Sequence, residues 1–102
     1  MEDYYNEFSK EMFMPYTYIL RCSDNTLYSG WTTDVHKRLI THNKGKGGKY
    51  TRARLPVKLV YLEESSTRSE AQIRECNIKK LERSEKEKLI ESNQWFESDV
   101  IR

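Results

Sequence analysis

The stretch YTYILRCSDNTLYSGW, residues 16–31, decides the fold of this 102-residue chain. Two runs rich in β-branched, aromatic and other apolar residues, 16–22 and 27–31, flank the polar segment 23–26. Asp24 and Asn25 in that segment favour a tight turn, because short Asx side chains bond to the backbone and tolerate left-handed geometry. The stretch therefore predicts a β-hairpin.

Tyr18 and Tyr28 lie on the two strands of this predicted hairpin. Side chains alternate between the faces of a strand, so the loop length decides whether the two tyrosines share a face. An odd-numbered loop, for example residues 24–26, would pair Cys22 with Tyr28 and put both tyrosines on one face. An even-numbered loop would put them on opposite faces. Both alternatives are open at this point.

A helix is predicted directly after the hairpin. Thr33 and Asp34 are typical of a helix start, with the Thr33 hydroxyl as the cap and an acid in the first turn. Val35 and Leu39 are four residues apart and form an apolar stripe, and Arg38 and His42, at the same spacing, form a polar stripe. We expect this helix to end near residue 44, at the start of a glycine-rich segment.

The remaining elements follow in a regular order. Residues 45–49 predict a flexible basic loop, and Pro56 marks the entry to a third strand over 57–63. Capping-box sequences at 67–70 and 84–87 predict the starts of two further helices. The order β-β-α-β-α-α predicts an α+β domain built on a small three-stranded antiparallel sheet flanked by helices.

The charge is distributed unevenly along the chain, although the net charge is only +2. Residues 1–14 are acidic. Residues 35–62 contain no Asp or Glu and carry eight Lys and Arg residues. A basic block of this kind is typical of a surface that binds phosphates, and an ordinary solvated surface is the alternative.

Arg38 and His42 lie one helical turn apart and form a candidate phosphate site. A guanidinium can hold a phosphate through two parallel hydrogen bonds, and an imidazole can share a proton or position a water molecule. The alternative is a common pair on a solvated helix face.

Glu75 lies beside the apolar stripe of its helix, four residues after Ala71 and three before Ile78. A carboxylate turned toward the core needs a partner, because an unpaired buried charge is costly. A hard divalent cation would fill that role and would also bind a phosphate oxygen. A salt bridge to a nearby Lys or Arg is the alternative.

These motifs together resemble the GIY-YIG nucleases. Tyr16-Thr17-Tyr18 and Tyr28-Ser29-Gly30 resemble the paired signature for which that family is named. The motifs that follow in matching order are Thr32-Thr33-Asp34, Arg38 with His42, the glycine-lysine loop 45–49 leading into Tyr50-Thr51-Arg52, and the helix 70–75. The resemblance covers about residues 15–90 and is strongest to the small stand-alone bacterial members.

The resemblance implies roles for the hairpin residues. Tyr18 matches the first-motif tyrosine, a general base or an orienter of the attacking water. Tyr28 matches the second-motif tyrosine, a hydrogen-bonding and structural member of the site. Gly30 matches the closing glycine, where the backbone passes close to its neighbours.

It also implies roles for three residues on the helices. Arg38 matches the arginine that stabilises the charged phosphorus centre. His42 matches the histidine found one turn later in many members. Glu75 matches the single metal-ligating glutamate, which implies one Mg²⁺ or Mn²⁺ ion as the cofactor.

The predicted function is a divalent-metal-dependent endonuclease that hydrolyses phosphodiester bonds in DNA, with structured or single-stranded DNA as candidate substrates. The alternative is a non-catalytic nucleic-acid-binding module that retains the GIY-YIG fold. The predicted division of the chain is an acidic extension over 1–14, the nuclease domain over 15–92 and a tail over 93–102. The basic residues expected to bind nucleic acid are Lys44, Lys46, Lys49, Arg52 and Arg54.

The cellular setting is predicted from what the sequence lacks. No apolar run is long enough for a transmembrane span or a signal peptide, so we expect a cytoplasmic protein with no membrane partner. Cys22 and Cys76 belong to no CxxC or Cys/His pattern and are expected to be reduced packing thiols. The oligomeric state is left open.

Overall fold

The computed structural model describes residues 14–92. The predicted tail over 93–102, and the predicted acidic extension apart from Met14, lie outside the described residues. The described part is an α+β fold with a three-stranded antiparallel sheet, as predicted.

The sheet consists of β1 (Tyr16–Arg21), β2 (Leu27–Thr32) and β3 (Lys58–Glu64). Its strand order is β2-β1-β3, and β1 pairs antiparallel with both neighbours. The first strand is therefore central, and its residues 17–20 are all buried.

The hairpin between β1 and β2 closes through a three-residue loop, residues 23–25. The Cys22 backbone N–H donates to the Thr26 carbonyl at 2.9 Å, and Asn25 has a φ of 70°, in the left-handed region that Asn tolerates. An odd-numbered loop is thus confirmed. The pairing of Cys22 with Tyr28 was wrong by two residues, because Leu20 lies opposite Tyr28.

The helices are α1 (Val35–Asn43), α2 (Lys49–Arg52), α3 (Arg68–Lys79) and α4 (Arg83–Ser92). Three of them were predicted. The fourth, α2, is a single turn inside the region where only a loop and its basic continuation were expected. The observed order is therefore β-β-α-α-β-α-α.

The α1 helix is capped by a carboxylate. The Asp34 side chain accepts a hydrogen bond from the Lys37 backbone N–H at 3.0 Å. The prediction that the Thr33 hydroxyl is the cap was therefore wrong by one residue. Asp satisfies the same exposed N–H groups and also complements the helix dipole.

The two later capping boxes differ in outcome. In α3 the Thr67 hydroxyl accepts from the Glu70 backbone N–H at 3.1 Å, as predicted. The α4 helix begins at Arg83, one residue before the predicted cap Ser84. There it is the Glu85 carboxylate that accepts, from the Glu82 backbone N–H at 3.1 Å.

A hydrophobic cluster lies on each face of the sheet. Tyr18 and Leu20 pack with Val35 and Leu39 of α1 on one face. On the other face Ile19 packs with Tyr61 and Ile78, and with partly buried residues of α4. The alternation of β1 thus directs the Tyr18 side chain toward α1.

Among the described residues, no helix is both long and apolar enough to cross a membrane. Cys22 is buried in the core, as expected of a packing thiol, and it is a free cysteine. Cys76 is also free but exposed, so its assignment to packing was wrong. It lies on the solvent side of α3.

Candidate active site

A pocket of about 340 Å³ lies beside β2, between α1 and α3. Tyr18 of β1, Tyr28 of β2, Arg38 of α1 and Glu75 of α3 all line it. Four residues that are far apart in the sequence therefore converge on one cavity. The same cavity is lined by Gly30, Trp31, Thr32, Thr33 and Arg68.

The position of the Tyr18 side chain depends on Gly30. The two residues are paired across the hairpin. A Cβ atom at position 30 would lie 2.5 Å from the Tyr18 hydroxyl oxygen and 2.6 Å from Cζ, which no side chain can occupy without a shift. The absence of a side chain at Gly30 is what lets the phenol lie across β2 and reach the pocket.

His42 connects the phenol to α2. The Tyr18 hydroxyl lies 3.1 Å from His42 Nε2, and His42 Nδ1 lies 2.8 Å from Thr51 Oγ1. His42 and Thr51 are both fully buried. The prediction of a polar stripe on α1 was therefore wrong for His42, which is buried in the protein interior and contacts Tyr18 but does not itself line the pocket.

The protonation states follow from burial. Burial raises the pKa of the Tyr18 phenol well above its usual value, and Tyr28 adds to this shift while Arg38 opposes it. Burial, together with the positive charge of Arg38, lowers the pKa of His42. At neutral pH the imidazole is therefore neutral, with one nitrogen donating and the other accepting.

Tyr28 closes the other side of the His42 ring. Its ring meets His42 edge-on, with centroids 5.4 Å apart, and stacks against Tyr50 at 6.0 Å. The two motif tyrosines thus share a face and contact the same imidazole. This arrangement restricts the orientation of all three rings.

Glu75 is the acidic residue of the pocket. Its side chain is 21% exposed, and one of its oxygens lies 3.6 Å from Nζ of the exposed Lys79, one turn later on α3. The salt bridge to a nearby lysine, one of the two sequence alternatives, is therefore present, and the same carboxylate lines the pocket. No group of three or more His, Cys, Asp or Glu residues within 14–92 could hold a metal ion.

A single carboxylate in a polar pocket fits Mg²⁺ or Mn²⁺ better than it fits zinc. Mg²⁺ keeps several water ligands and binds through one or two carboxylates together with substrate phosphates, whereas a zinc site needs three or four protein ligands. The donors present at Glu75 are thus compatible with an ion that is held jointly by protein and substrate.

The basic residues predicted to bind nucleic acid are dispersed. Of these five residues, Lys46 alone lines this pocket or the groove that adjoins it along α1. Arg54 forms an ion pair with Asp24 at 3.0 Å, and its guanidinium lies 3.9 Å above the Tyr50 ring. Lys44, Lys49 and Arg52 are exposed, on or next to α1 and α2, and line neither cavity.

Three residues at or next to the pocket were not among the predicted site residues. Arg68 lines the pocket from the first turn of α3, and its spacing of seven from Glu75 is a signal that both lie on one helix face. Trp31 lines the pocket. Thr51 belongs to the Tyr50-Thr51-Arg52 motif, but its contact with His42 depends on how α2 folds, which nothing in the sequence indicates.

The comparison with known families agrees with this arrangement. Residues 14–88 match the model of the GIY-YIG catalytic domain. The chain therefore belongs to the GIY-YIG family, a family of nucleases, and the resemblance predicted from its motifs is confirmed.

Similar curated proteins include small proteins named only as UPF0213. The chain is 56% identical over 79 residues to one from Clostridium perfringens, covering 78% of this chain and 85% of that protein. A UPF0213 protein of Bacillus halodurans, solved by NMR, is 43% identical with a TM-score of 0.52, covering 78% and 84% of the two chains. A protein of E. faecalis, also solved by NMR, is 42% identical in sequence with a TM-score of 0.54, and the match again covers 78% of this chain and 84% of that chain. These names state no activity.

Proposed function

We propose that the protein is a divalent-metal-dependent endonuclease that hydrolyses phosphodiester bonds in DNA, in the cytoplasm. The observation that carries this proposal is the convergence of Tyr18, Tyr28, Arg38 and Glu75 on one pocket. Phosphodiester hydrolysis needs an aligned water molecule, relief of charge on the phosphoryl oxygens and a stabilised leaving oxygen. Positioning and electrostatics supply most of that requirement.

Tyr18 is the residue that we propose to orient the attacking water. Its phenol is 2% exposed, and its hydroxyl is held by His42 on one side and by the close approach to Gly30 on the other. A neutral His42 can accept the phenolic hydrogen at Nε2. A lone pair of the Tyr18 oxygen is then available to accept a hydrogen bond from water in the pocket.

Arg38 is the residue that we propose to bind the phosphate. It is exposed on α1 and lines the pocket, so its guanidinium can donate two parallel hydrogen bonds to non-bridging oxygens. The same positive charge acts on Tyr18 and lowers the pKa of the phenol, in opposition to burial. A single residue thus serves both the substrate and the water-orienting group.

Glu75 is the residue that we propose to hold the metal ion. When bound, a divalent ion supplies charge neutralisation at the phosphoryl oxygens and stabilises the leaving group. Arg68, at the other end of the same helix face, lines the pocket as a further cation for the phosphate backbone. Nζ of Lys79 lies 3.6 Å from the carboxylate, one helical turn further along α3.

The test is a cleavage panel of single-stranded, nicked and branched DNA, with Mg²⁺ or Mn²⁺ and with a chelator, using the full chain. Tyr18→Phe is compared with Tyr61→Phe. Both tyrosines are buried, but the Tyr61 hydroxyl bonds to Glu63 on the opposite face of the sheet. We expect metal-dependent cleavage by the wild type and by Tyr61→Phe, and a loss of about 100-fold or more in Tyr18→Phe.

Two results would reject the proposal. Binding of every substrate without cleavage in either metal would favour the non-catalytic nucleic-acid-binding module. Equal activity of Tyr18→Phe and Tyr61→Phe would remove Tyr18 from the chemistry.

A further inference from the structure

A second groove, of about 540 Å³, adjoins the active-site pocket along α1. Thr32, Thr33 and Arg38 line both cavities, so the two share a boundary. Beyond this shared boundary the groove is lined by the α1 cap Asp34, by Lys37 and Thr41 of α1, and by the loop residues Lys46 and Gly47.

The groove is positively charged. Lys37, Arg38 and Lys46 face it, and within residues 14–92 neither lysine forms an ion pair. The acidic residue of the wall is Asp34, whose carboxylate accepts a hydrogen bond from the Lys37 backbone N–H and caps α1. That carboxylate is engaged with the helix end, so the lysines remain available to an anion.

The loop that carries Lys46 is fixed in place. The Lys46 backbone N–H donates to the Thr41 carbonyl at 3.1 Å, and the Gly45 N–H donates to the His42 carbonyl at 2.9 Å. A Cβ atom at Gly47 would lie 2.2 Å from His42 Nδ1, so glycine is what lets the loop lie against the imidazole. The base of the Lys46 side chain is therefore anchored to the active site itself.

We propose that this groove binds the phosphate next to the scissile one on the same nucleic-acid strand. This inference rests on the proposed function, because it takes the pocket at Arg38 as the position of the scissile phosphate. Arg38 lies at the boundary of the two cavities, with Lys37 and Lys46 beyond it. A strand that places one phosphodiester in the pocket presents its next phosphate to the two lysines.

The proposal defines a class of substrate. A single phosphodiester fills the pocket alone, whereas a strand with two consecutive phosphodiesters fills both cavities. The protein should therefore prefer oligonucleotides to dinucleotides. It should do so without regard to base sequence, because phosphate contacts carry no direct sequence information.

The test measures binding and needs no cleavage. Thymidine oligonucleotides with one, two or three phosphodiesters are titrated by NMR into the full chain in the presence of a chelator. The titration is repeated with the Lys37→Ala/Lys46→Ala double variant. The control is Lys58→Ala/Lys88→Ala, which removes the same charge from the far edge strand and from α4.

For the wild type and the control we expect Kd to fall about tenfold between one and two phosphodiesters, since a charge-assisted hydrogen bond contributes on the order of 1.5 kcal/mol. The double variant should lose this gain and keep its affinity for one phosphodiester. An equal gain in all three proteins, or no gain in the wild type, would overturn the proposal.

Inorganic phosphate distinguishes a strand site from a site for a free anion. NMR shifts at Lys37 and Lys46 that saturate with inorganic phosphate as readily as with the trinucleotide, which has two phosphodiesters, would also overturn the proposal. No shifts with phosphate at matched concentration would support it. A gain in binding without cleavage of any DNA would reject the proposed function alone.

Discussion

The Tyr18 hydroxyl oxygen lies 3.1 Å from His42 Nε2, and the opposite nitrogen of the same ring lies 2.8 Å from Thr51 Oγ1. All three residues are buried. One hydrogen-bonded chain therefore joins β1 to α1 and α2. The position of the proposed water-orienting group depends on a threonine that has no contact with the pocket.

Thr51→Val should destabilise the protein by about 1–2 kcal/mol. The substitution conserves shape but leaves His42 Nδ1 buried without a partner, and an unsatisfied buried polar atom costs about this much. Urea unfolding measures the change. Thr51→Ser keeps the hydroxyl and should lose less than half as much, and equal stability of Thr51→Val and the wild type would contradict the role assigned to this bond.

Gly30→Ala should lower the cleavage rate by about 100-fold, because a displacement of roughly 1 Å at a reacting group has an effect of that size. The new Cβ atom would lie 2.5 Å from the Tyr18 hydroxyl oxygen, so the phenol has to move. The control is Ser29→Ala, at a neighbouring buried position opposite Ile19 on β1. Wild-type activity in Gly30→Ala, with the fold intact by NMR, would contradict this account.

The attachment of α4 to the sheet should depend on pH. Two hydrogen bonds from Arg21, at 2.8 and 2.9 Å, and further bonds from Arg83 lower the pKa of Glu87 from 4.5 to about 2. A carboxyl with a lowered folded-state pKa stabilises the fold above its unfolded value, and the contribution is lost as the pH falls toward the folded value.

We therefore expect Glu87→Gln to reduce the free energy of unfolding by about 1 kcal/mol at pH 7, the upper end for a partly exposed ion pair. The difference from the wild type should shrink as the pH falls from 4.5 toward 2. Unfolding by urea across this range measures it. Glu91→Gln, at an exposed position of the same helix, should have no such effect, and a constant difference at all pH values would reject the assignment to Glu87.

Local signals in the sequence were sufficient for most of the fold. The polar turn at 23–26 predicted the hairpin, and the capping sequence at Thr67 predicted the start of α3. These signals work because a turn or a cap satisfies its own backbone groups within a few residues. These local signals do not determine the loop length. Whether Tyr18 and Tyr28 share a face could therefore be decided only from the strand register in the structure.

The environment of His42 could not be predicted in the same way. As one of a pair with Arg38, it was read as part of a polar stripe, yet it is fully buried. Its burial depends on two later parts of the chain, Gly47 packed against its ring and Thr51 bonded to it. Contacts of this kind depend on the tertiary structure, and the periodicity of α1 alone does not predict them.

The most direct measurement of the central claim is the single-turnover cleavage rate of Glu75→Ala with all of the DNA bound. Glu75 has one described ion-pair partner, Lys79, so Lys79→Ala removes the salt bridge and leaves the carboxylate in the pocket. If Glu75 holds the metal ion, Glu75→Ala should lose about 100-fold or more in rate, and Lys79→Ala should stay close to the wild type. Equal rates in the two variants, whether both retained or both lost, would contradict a metal-dependent active site at this pocket.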